Sequence, residues 1–213
     1  MSGYFISLEG VEGVGKSTNL AFIASWFEAQ KIDFILTREP GGTELAEQIR
    51  ALLLTPRPEI MAADTELLLI FAARAQHLAE KIRPALAAGH TVISDRFVDA
   101  TYAYQGFGRG LPLETIRSLH QLVMQNCVPD LTIYLDLDVE TGLARARKRG
   151  ELDRFEQETG AFFERVRAGY LECIKQNPKR FAVIDASQSL EQVHTQIEKT
   201  LVDFFKVKNL PGN

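Results

Sequence analysis

The chain has 213 residues, the size of one domain with a substantial core rather than of two independent domains. Apolar residues make up 46% of the sequence and charged residues 24%, a balance typical of globular proteins and not of disordered ones. Because the net charge is −4 at pH 7, a broad basic face for nucleic acid is not expected, and any anion site should be local.

Cysteine usage and the lack of targeting signals favour a cytoplasmic protein. Cys127 and Cys173 are far apart and lack CxxC spacing, which fits buried thiols in a reducing compartment better than a disulfide or a zinc site. The N-terminus does not place a basic segment before an apolar one, and the longest apolar run, 67–73, is too short to cross a bilayer. We therefore expect neither export nor membrane insertion.

Strand and helix signals alternate along the chain. Five short segments rich in β-branched and aromatic residues predict strands: Tyr4–Leu8, Phe34–Thr37, Thr91–Asp95, Leu131–Asp136 and Phe181–Asp185. Their nearly continuous apolar character is typical of a parallel sheet covered on both faces. Helical periodicity lies between them, as in Ser17–Gln30, Asp64–Ala88 and Leu113–Asn126. The alternation predicts a doubly wound α/β fold in a single domain over residues 1–213.

The first predicted strand leads into a glycine-rich segment, GVEGVGKST, at residues 10–18. The spacing Gly10-x-x-x-x-Gly15-Lys16-Ser17 matches the P-loop pattern, and it stands between a predicted strand and a predicted helix. There, backbone N–H groups surround phosphate oxygens, Lys16 reaches the β- and γ-phosphates, and the Ser17 hydroxyl ligates Mg²⁺. The predicted triphosphate site comprises Gly10, Val11, Glu12, Gly13, Val14, Gly15, Lys16, Ser17 and Thr18.

A P-loop by itself leaves three classes of protein open. A GTPase switch requires an Asn-Lys-x-Asp motif to read guanine, and the sequence contains none. A motor or other ATPase usually ends a strand in paired acids. A small-molecule kinase requires a second pocket for its acceptor and a cationic cover that excludes water. The segments further along the chain distinguish these classes.

Arginines follow the second and third predicted strands. Arg38 lies in TREPGGT at 37–43, Arg50 lies about two helical turns beyond that segment, and Arg96 lies in the DRF segment. On an acidic protein such a cluster predicts a fork for a second phosphate group. For any one of these arginines, a surface ion pair with a nearby glutamate is the alternative.

Two further segments bear on the class of protein. The predicted helix Asp64–Ala88 is apolar on more than one face, so part of it needs cover from a ligand or from a second subunit. Arg145–Arg154 concentrates five cations in ten residues. Such a run is usually a solvated helix face, but a mobile lid over about 145–160 is the functional alternative. A lid arginine contributes roughly 10³–10⁵ to the rate of phosphoryl transfer.

The order of GVEGVGKST, TREPGGT, DRF, TYAYQG and RKRGELDR resembles that of the bacterial-type thymidylate kinases, from about Tyr4 to Phe205. The resemblance implies a P-loop nucleoside monophosphate kinase fold, with a five-stranded parallel sheet covered by helices on both faces. It implies transfer of the γ-phosphoryl group of ATP to dTMP with Mg²⁺, in a protein that is commonly a homodimer. The expected partners are therefore ATP, dTMP and a second copy of the chain, without nucleic acid or membrane.

The resemblance also implies roles for individual residues. Lys16, Arg96, Arg149 and Glu9 would be catalytic, and Glu9 would assist Ser17 near the metal. Arg149 would be the lid arginine, with Arg145 and Arg154 as further ATP-binding candidates. The implied acceptor site comprises Arg38, Glu39, Arg50, Phe71, Arg74, Asp95, Arg96, Thr101, Tyr104 and Gln105.

Within that acceptor site the base and the sugar have separate readers. Arg74 would donate to a thymine carbonyl, while Thr101 and Gln105 would read the edge of the base. Tyr104 would crowd the 2′ position of the sugar. Phe71 would stack on the base, although the family places Phe four residues before this arginine, where the present sequence has Ile70.

Glu12 departs from relatives that carry an arginine inside the P-loop. An acid cannot stabilise the transferring phosphoryl group, so the missing positive charge is expected to come from Arg149 when the lid closes. Two rival functions stay open from the sequence: a kinase for another nucleoside monophosphate, and an ATP-dependent regulatory protein without a small acceptor.

Overall fold

The computed structural model describes residues 3–148 and 153–207. Five parallel strands form one sheet in the order β2-β3-β1-β4-β5. Their bounds are β1 Phe5–Glu9, β2 Phe34–Arg38, β3 Thr91–Asp95, β4 Leu131–Asp136 and β5 Phe181–Asp185. All five strands predicted from the sequence are confirmed, with end shifts of one residue at most. β1 lies at the centre, where Leu8 is in register with Asp95 of β3 and with Ile133 of β4.

Helices connect the strands and cover the sheet. They are α1 Lys16–Ala29, α2 Glu44–Leu54, α3 Ala63–His77, α4 Arg83–Ala87, α5 Val98–Thr101, α6 Leu113–Met124, α7 Val139–Arg147, α8 Gly160–Gln176 and α9 Leu190–Val207. Two π-helical segments, Leu78–Ile82 and Tyr102–Gly108, follow α3 and α5. The helix expected over 64–88 is therefore three consecutive segments, and the change of pitch falls at residue 78. Such π-helical turns often occur at functional sites.

Local sequence explains where several helices begin. Thr43, Asp138 and Thr159 cap α2, α7 and α8, because each side-chain oxygen accepts a hydrogen bond from a backbone N–H three residues later. α1 differs, since it begins directly after Gly15 without a side-chain cap. Its first N–H groups are therefore available to phosphate oxygens.

The main core lies between the sheet and the helices and contains the central strands β1 and β4 together with parts of α1, α8 and α9. Large aromatic side chains, including Phe27, Phe163 and Tyr170, are fully buried in it. Across the two described ranges, no helix is long and apolar enough to cross a membrane.

Candidate functional site

A cavity of about 420 Å³ opens at the carboxyl ends of β1, β2 and β3, where open parallel sheets bind ligands. Many of the residues expected to form a site line this cavity: Glu12, Gly13, Gly15, Lys16, Ser17, Thr18, Glu39, Arg50, Arg74, Asp95, Arg96, Thr101, Tyr104, Gln105 and Arg145. Other expected site residues lie elsewhere: Glu9, Gly10, Val11, Val14, Arg38, Phe71 and Arg154 do not line it. Arg149 lies outside the described residues.

The P-loop forms one wall of the cavity. Nζ of Lys16 donates to the carbonyl oxygens of Gly10 and Val11, at 3.3 and 3.2 Å, so the ammonium group is held under the loop. Burial and the neighbouring Arg96 lower the pKa of Lys16. Gly13 has φ +75°, and a Cβ there would overlap the carbonyl of Gly142 on α7. The loop thus packs directly on α7.

Glu12 is the centre of an ion-pair cluster at the cavity. Its Oε1 accepts from Nη2 of Arg96 at 2.6 Å and from the hydroxyl of Tyr104 at 3.0 Å, and its Oε2 lies 3.9 Å from Nζ of Lys16. The guanidinium of Arg96 also lies 4.8 Å from the ring centroid of Tyr104. Glu12 therefore neutralises and orients cations that face the cavity.

Arg96 is fixed from several directions. Its backbone has φ +67°, an uncommon conformation for a residue with a side chain, and its N–H donates to the carbonyl oxygen of Leu8 in β1. Its Nη1 donates to the carbonyl oxygen of Gly10 at 2.9 Å and to the hydroxyl of Tyr170 at 3.0 Å. Strained backbone that is held by many contacts is typical of a functional residue.

Glu9 lies behind the cavity wall rather than on it. Its Oε1 accepts from the N–H of Phe97 at 2.7 Å, and its Oε2 accepts from the hydroxyl of Tyr170 at 2.8 Å. Burial, reinforced by the charge of Asp99, raises the pKa of Glu9 to about 8. Both oxygens of the Glu9 carboxyl group are therefore already engaged by the chain itself.

A buried chain of polar side chains begins at the far end of the cavity with Arg74 and Glu39. Nε of Arg74 donates to Oε2 of Glu39 at 2.7 Å, and the other Glu39 oxygen lies 3.1 Å from Nδ1 of His77. Nε2 of His77 lies 2.6 Å from the hydroxyl of Thr37. Nη2 of Arg74 donates to Thr101 at 2.9 Å. The sequence reading missed His77, although its position three residues after Arg74 puts both on one face of α3.

Arg74 keeps one nitrogen uncommitted. Its Nη1 is buried and has no hydrogen-bond partner within the described part of the chain. The guanidinium lies against the rings of Phe71 and Phe97, with centroid distances of 5.0 and 5.3 Å. An unpaired buried donor is costly, so a donor held in this way is suited to a ligand carbonyl.

Ile70, not Phe71, lines the cavity. Phe71 is buried in a small apolar cluster with Leu67 and Ile116, and it supports Arg74 from behind. The expected role of Phe71 in stacking on a base therefore lacks support from its position.

The other expected arginines differ in their surroundings. Arg50 lines the cavity and donates to the carbonyl oxygen of Pro40 at 2.8 Å. Arg38 forms a two-point pair with Glu47, and its side chain is 53% exposed. Arg145, which is exposed at the end of α7, reaches the cavity edge. Arg154 instead donates to the carbonyl oxygen of Leu53 and pairs with Glu66.

Two oxygen groups suit a magnesium ion better than Glu9 does. The hydroxyl of Ser17 lies on the cavity wall. Asp95 also lines the cavity, and its Oδ1 is buried without a hydrogen-bond partner among the residues described. No group of three or more His, Cys, Asp or Glu residues gathers to hold a metal in the described ranges. This donor set fits an ion that is held largely by substrate phosphates and water.

Comparison with known proteins agrees with this geometry. A family model described as thymidylate kinase matches residues 8–197. The chain is 60% identical over 201 residues to the thymidylate kinase of Pseudomonas putida strain GB-1, covering 94% of this chain and 96% of that protein. It is 58% identical over 208 residues to the thymidylate kinase of Pseudomonas syringae pv. tomato, covering 98% and 99%. It is 58% identical over 204 residues to that of Teredinibacter turnerae, covering 96% and 100%. With the P-loop, the Asp95-Arg96 pair and the buried Arg74 network in one cavity, the chain belongs to the thymidylate kinase family.

Proposed function

We propose that this protein transfers the γ-phosphoryl group of ATP to dTMP, giving dTDP and ADP. The observation that carries the proposal is that one cavity joins a P-loop to a buried, polar far end. Lys16 and Ser17 lie at the phosphate end, and Arg74, Thr101 and Gln105 lie at the other. A GTPase or a motor protein would not require that second, preformed set of polar readers.

The far end of the cavity suits a thymine base. Nη1 of Arg74 is a buried donor that is fixed by Glu39, Thr101 and two aromatic rings, and a base carbonyl would satisfy it. Gln105 and Thr101 supply further hydrogen-bonding groups beside it. Tyr104 lies between this end and the P-loop, where the sugar of the acceptor would lie. Burial raises the pKa of Tyr104, so its hydroxyl stays protonated and donates to Glu12.

In the proposed mechanism the acceptor phosphate attacks directly, without a covalent enzyme intermediate. This phosphate is already an anion, so a strong general base is unnecessary, and catalysis depends on positioning and charge neutralisation. Lys16 and the N–H groups at the start of α1 would bind the donor phosphates. Arg96 would lie between the donor phosphates and the acceptor phosphate. Arg50 would contact the acceptor phosphate, and Arg145 and Arg149 would approach from the lid side.

We propose Mg²⁺ as the metal, held by Ser17 and Asp95. When bound with ATP, the ion neutralises phosphate charge and fixes the geometry of the β- and γ-phosphates. Removing the hydroxyl of Ser17 by Ser17→Ala should raise the Mg²⁺ concentration that gives half-maximal turnover, and Asp95→Asn should do the same. The exposed Ser25 of α1, whose hydroxyl bonds within its own helix, provides a control in Ser25→Ala.

The test of the function is an acceptor panel. ADP release would be measured with dTMP, dUMP, UMP, CMP and AMP, and the product identified by chromatography. Strong preference for dTMP with formation of dTDP supports the proposal. A higher rate with another acceptor would indicate a kinase for that monophosphate, and equal rates across the panel would also contradict the proposal. ATP hydrolysis without any phosphorylated nucleoside product would indicate a regulatory ATPase.

We also propose a cytoplasmic homodimer. Cys127 and Cys173 are unpaired thiols, as a reducing compartment favours. α3 packs against α6, and each carries a leucine with a largely exposed side chain, Leu68 at 57% and Leu122 at 74%. A second copy of the chain would cover such surface. Light scattering of the wild type and of Leu68→Glu would test this: a dimer that the variant converts to monomer supports it, and a wild-type monomer contradicts it.

A further inference from the structure

Glu66 is a buried charge that the proposed mechanism does not use. Its side chain is 1% exposed, and it lies on α3 four and eight residues before Ile70 and Arg74. That spacing puts all three on one face of the helix, the face that borders the cavity. A buried carboxylate at this position is costly unless donors surround it, so its partners indicate its purpose.

Three side chains donate to the Glu66 carboxylate. Oε1 accepts from Nε2 of Gln105 at 2.8 Å and from Nε of Arg109 at 3.2 Å. Oε2 accepts from Nη2 of Arg109 at 3.1 Å and lies 2.7 Å from Nη1 of Arg154. Two arginines and one amide therefore surround the carboxylate, and these four contacts use its capacity to accept hydrogen bonds.

The contact with Glu66 fixes the orientation of the Gln105 amide. A carboxylate can only accept hydrogen bonds, so Gln105 must present its NH₂ group to Glu66. The opposite arrangement would put two oxygens in contact and is excluded by their repulsion. Because Gln105 lines the cavity, its Oε1 is the amide atom left to accept a hydrogen bond from a ligand there.

We propose that Glu66 is a positioning residue for base selection, which acts by holding Gln105 as an acceptor toward the cavity. The inference rests on the proposed function and deepens it. Thymine carries a proton on N3 and a carbonyl oxygen at C4, and therefore matches an acceptor beside the donor Arg74. Cytosine has an unprotonated N3 and an amino group at C4, and both would face a group of the wrong kind. If the partner of Gln105 could donate as well as accept, the Gln105 amide could rotate, and this discrimination between bases would be lost.

Glu66 also contacts Arg154, on the far side of residues 149–152 from α7. The backbone N–H of Arg154 donates to the carbonyl oxygen of Leu54. Its side chain donates to the carbonyl oxygen of Leu53 and pairs with Glu66. Arg109 connects the same carboxylate to Glu158. The Arg154 side chain is therefore held by Leu53 and Glu66, and Glu66 contacts both Arg154 and Gln105.

The test compares kcat/KM for dTMP with kcat/KM for dCMP in the wild type and in Glu66→Gln. The amide introduced by this substitution would donate as well as accept, so Gln105 could rotate. We expect the dTMP-to-dCMP preference to fall by about 10-fold or more, mainly through KM. We expect kcat at saturating dTMP to stay within about threefold of the parent.

Glu158→Gln is the matched control. It removes the other carboxylate on Arg109 but leaves the contact between Glu66 and Gln105, so the preference should not change. A preference that stays within about twofold in an active Glu66→Gln protein overturns the inference. An equal loss in Glu158→Gln also overturns it, because the effect would then come from Arg109. In a Gln105→Ala background, Glu66→Gln should cause no further loss of preference, and a further loss of the same size overturns the inference.

A measurement on the wild type covers the case in which Glu66→Gln does not fold. Side-chain amide protons of Gln105, followed by ¹⁵N NMR, should exchange slowly with water both with and without dTMP. Fast exchange would overturn the inference. If the wild type itself shows no preference for dTMP, the proposed function fails, whereas a preference that Glu66→Gln leaves intact removes the positioning role alone.

Discussion

The carboxylate of Glu12 in the P-loop lies 2.6 Å from Nη2 of Arg96, which follows β3. An acid in a phosphate-binding loop would be expected to repel the ligand, but here its charge is balanced by Arg96 and by Lys16. We therefore expect the Glu12 side chain to act on a bound phosphate indirectly, by orienting Arg96 and Lys16. It stays a prediction that Arg149 supplies the positive charge that stabilises the transferring phosphoryl group, because Glu12 cannot supply it.

Glu12→Ala should lower kcat by about 10-fold or more, because Arg96 loses a charge-assisted hydrogen bond that orients it. The dissociation constant for ATP should not rise, since the change removes a negative charge beside Lys16. Steady-state kinetics and calorimetric titration with ATP would measure the two quantities. Glu114→Ala, which removes an acid paired with Arg117 on the surface of α6, is the control. Unchanged kcat in Glu12→Ala would contradict the orienting role.

Arg149→Ala should lower turnover by roughly 10³-fold, as expected for an arginine that stabilises the transferring phosphoryl group. The fold should persist, as checked by circular dichroism and thermal unfolding. Arg147→Ala removes an exposed arginine of α7 that does not line the cavity, and it should retain most of the activity. A turnover within a few-fold of the parent in Arg149→Ala would show that the lid charge comes from another residue.

Arg74→Lys should lower kcat/KM for dTMP by about 10²-fold, mostly through KM, because an ammonium group cannot keep the contacts with Glu39 and Thr101 and also donate into the cavity. Kinetics with dTMP would measure the change. Arg83→Lys is the control, since Arg83 is a half-buried arginine outside the cavity that donates to the carbonyl oxygens of Val123 and Met124. Equal KM values in the two variants would argue against base recognition by Arg74.

Gly42→Ala should destabilise the protein and raise KM for dTMP. Gly42 has φ +92°, and a Cβ there would overlap Nε2 of His77 and lie 2.6 Å from Oγ1 of Thr37. It would therefore break the chain that leads from Thr37 to Arg74. We expect a loss of about 1–3 kcal/mol in the free energy of unfolding.

Gly110→Ala separates backbone strain from this overlap. Gly110 also has a positive φ, +77°, but a Cβ there would meet nothing within 4 Å among the described residues. Urea unfolding should show a smaller loss for Gly110→Ala, and KM should not change. Equal losses in the two variants would mean that strain alone is responsible for the effect at Gly42.

Glu9 should make the folded state less stable as the pH rises. Its ordinary pKa is 4.5, and burial raises the folded-state value to about 8, so the folded protein binds more protons between these limits. The stabilisation is complete below pH 4.5 and is lost as the pH rises through about 8. Glu9→Gln should remove this part of the decline, measured by urea unfolding at about pH 5, 6.5 and 8. Glu198→Gln, an exposed change on α9, should leave the decline intact, and an unaltered decline in Glu9→Gln would contradict the assignment.

Local sequence was sufficient for the strands and the P-loop. Continuous apolar runs bounded by polar residues identify buried parallel strands. The spacing from Gly10 to Ser17 identifies the P-loop and the start of α1, because the contacts that form them are made between residues close in sequence. The same signals placed the P-loop and Arg96 directly after strands, and both line the cavity. They failed where a helix changes pitch at residue 78, since that change depends on packing and not on periodicity.

The tertiary structure determined which acid each arginine pairs with. The sequence predicted that Arg38, Arg96 and Arg154 all serve phosphate groups, but the fold pairs Arg38 with Glu47 at the exposed rim, Arg96 with Glu12 at the cavity, and Arg154 with Glu66, 88 positions before it in the chain. Ile70 replaced Phe71 on the cavity wall because helix rotation, fixed by packing, determines which of two neighbours faces inward. Composition and spacing specify which groups are present, while long-range packing determines which of them meet and which are desolvated.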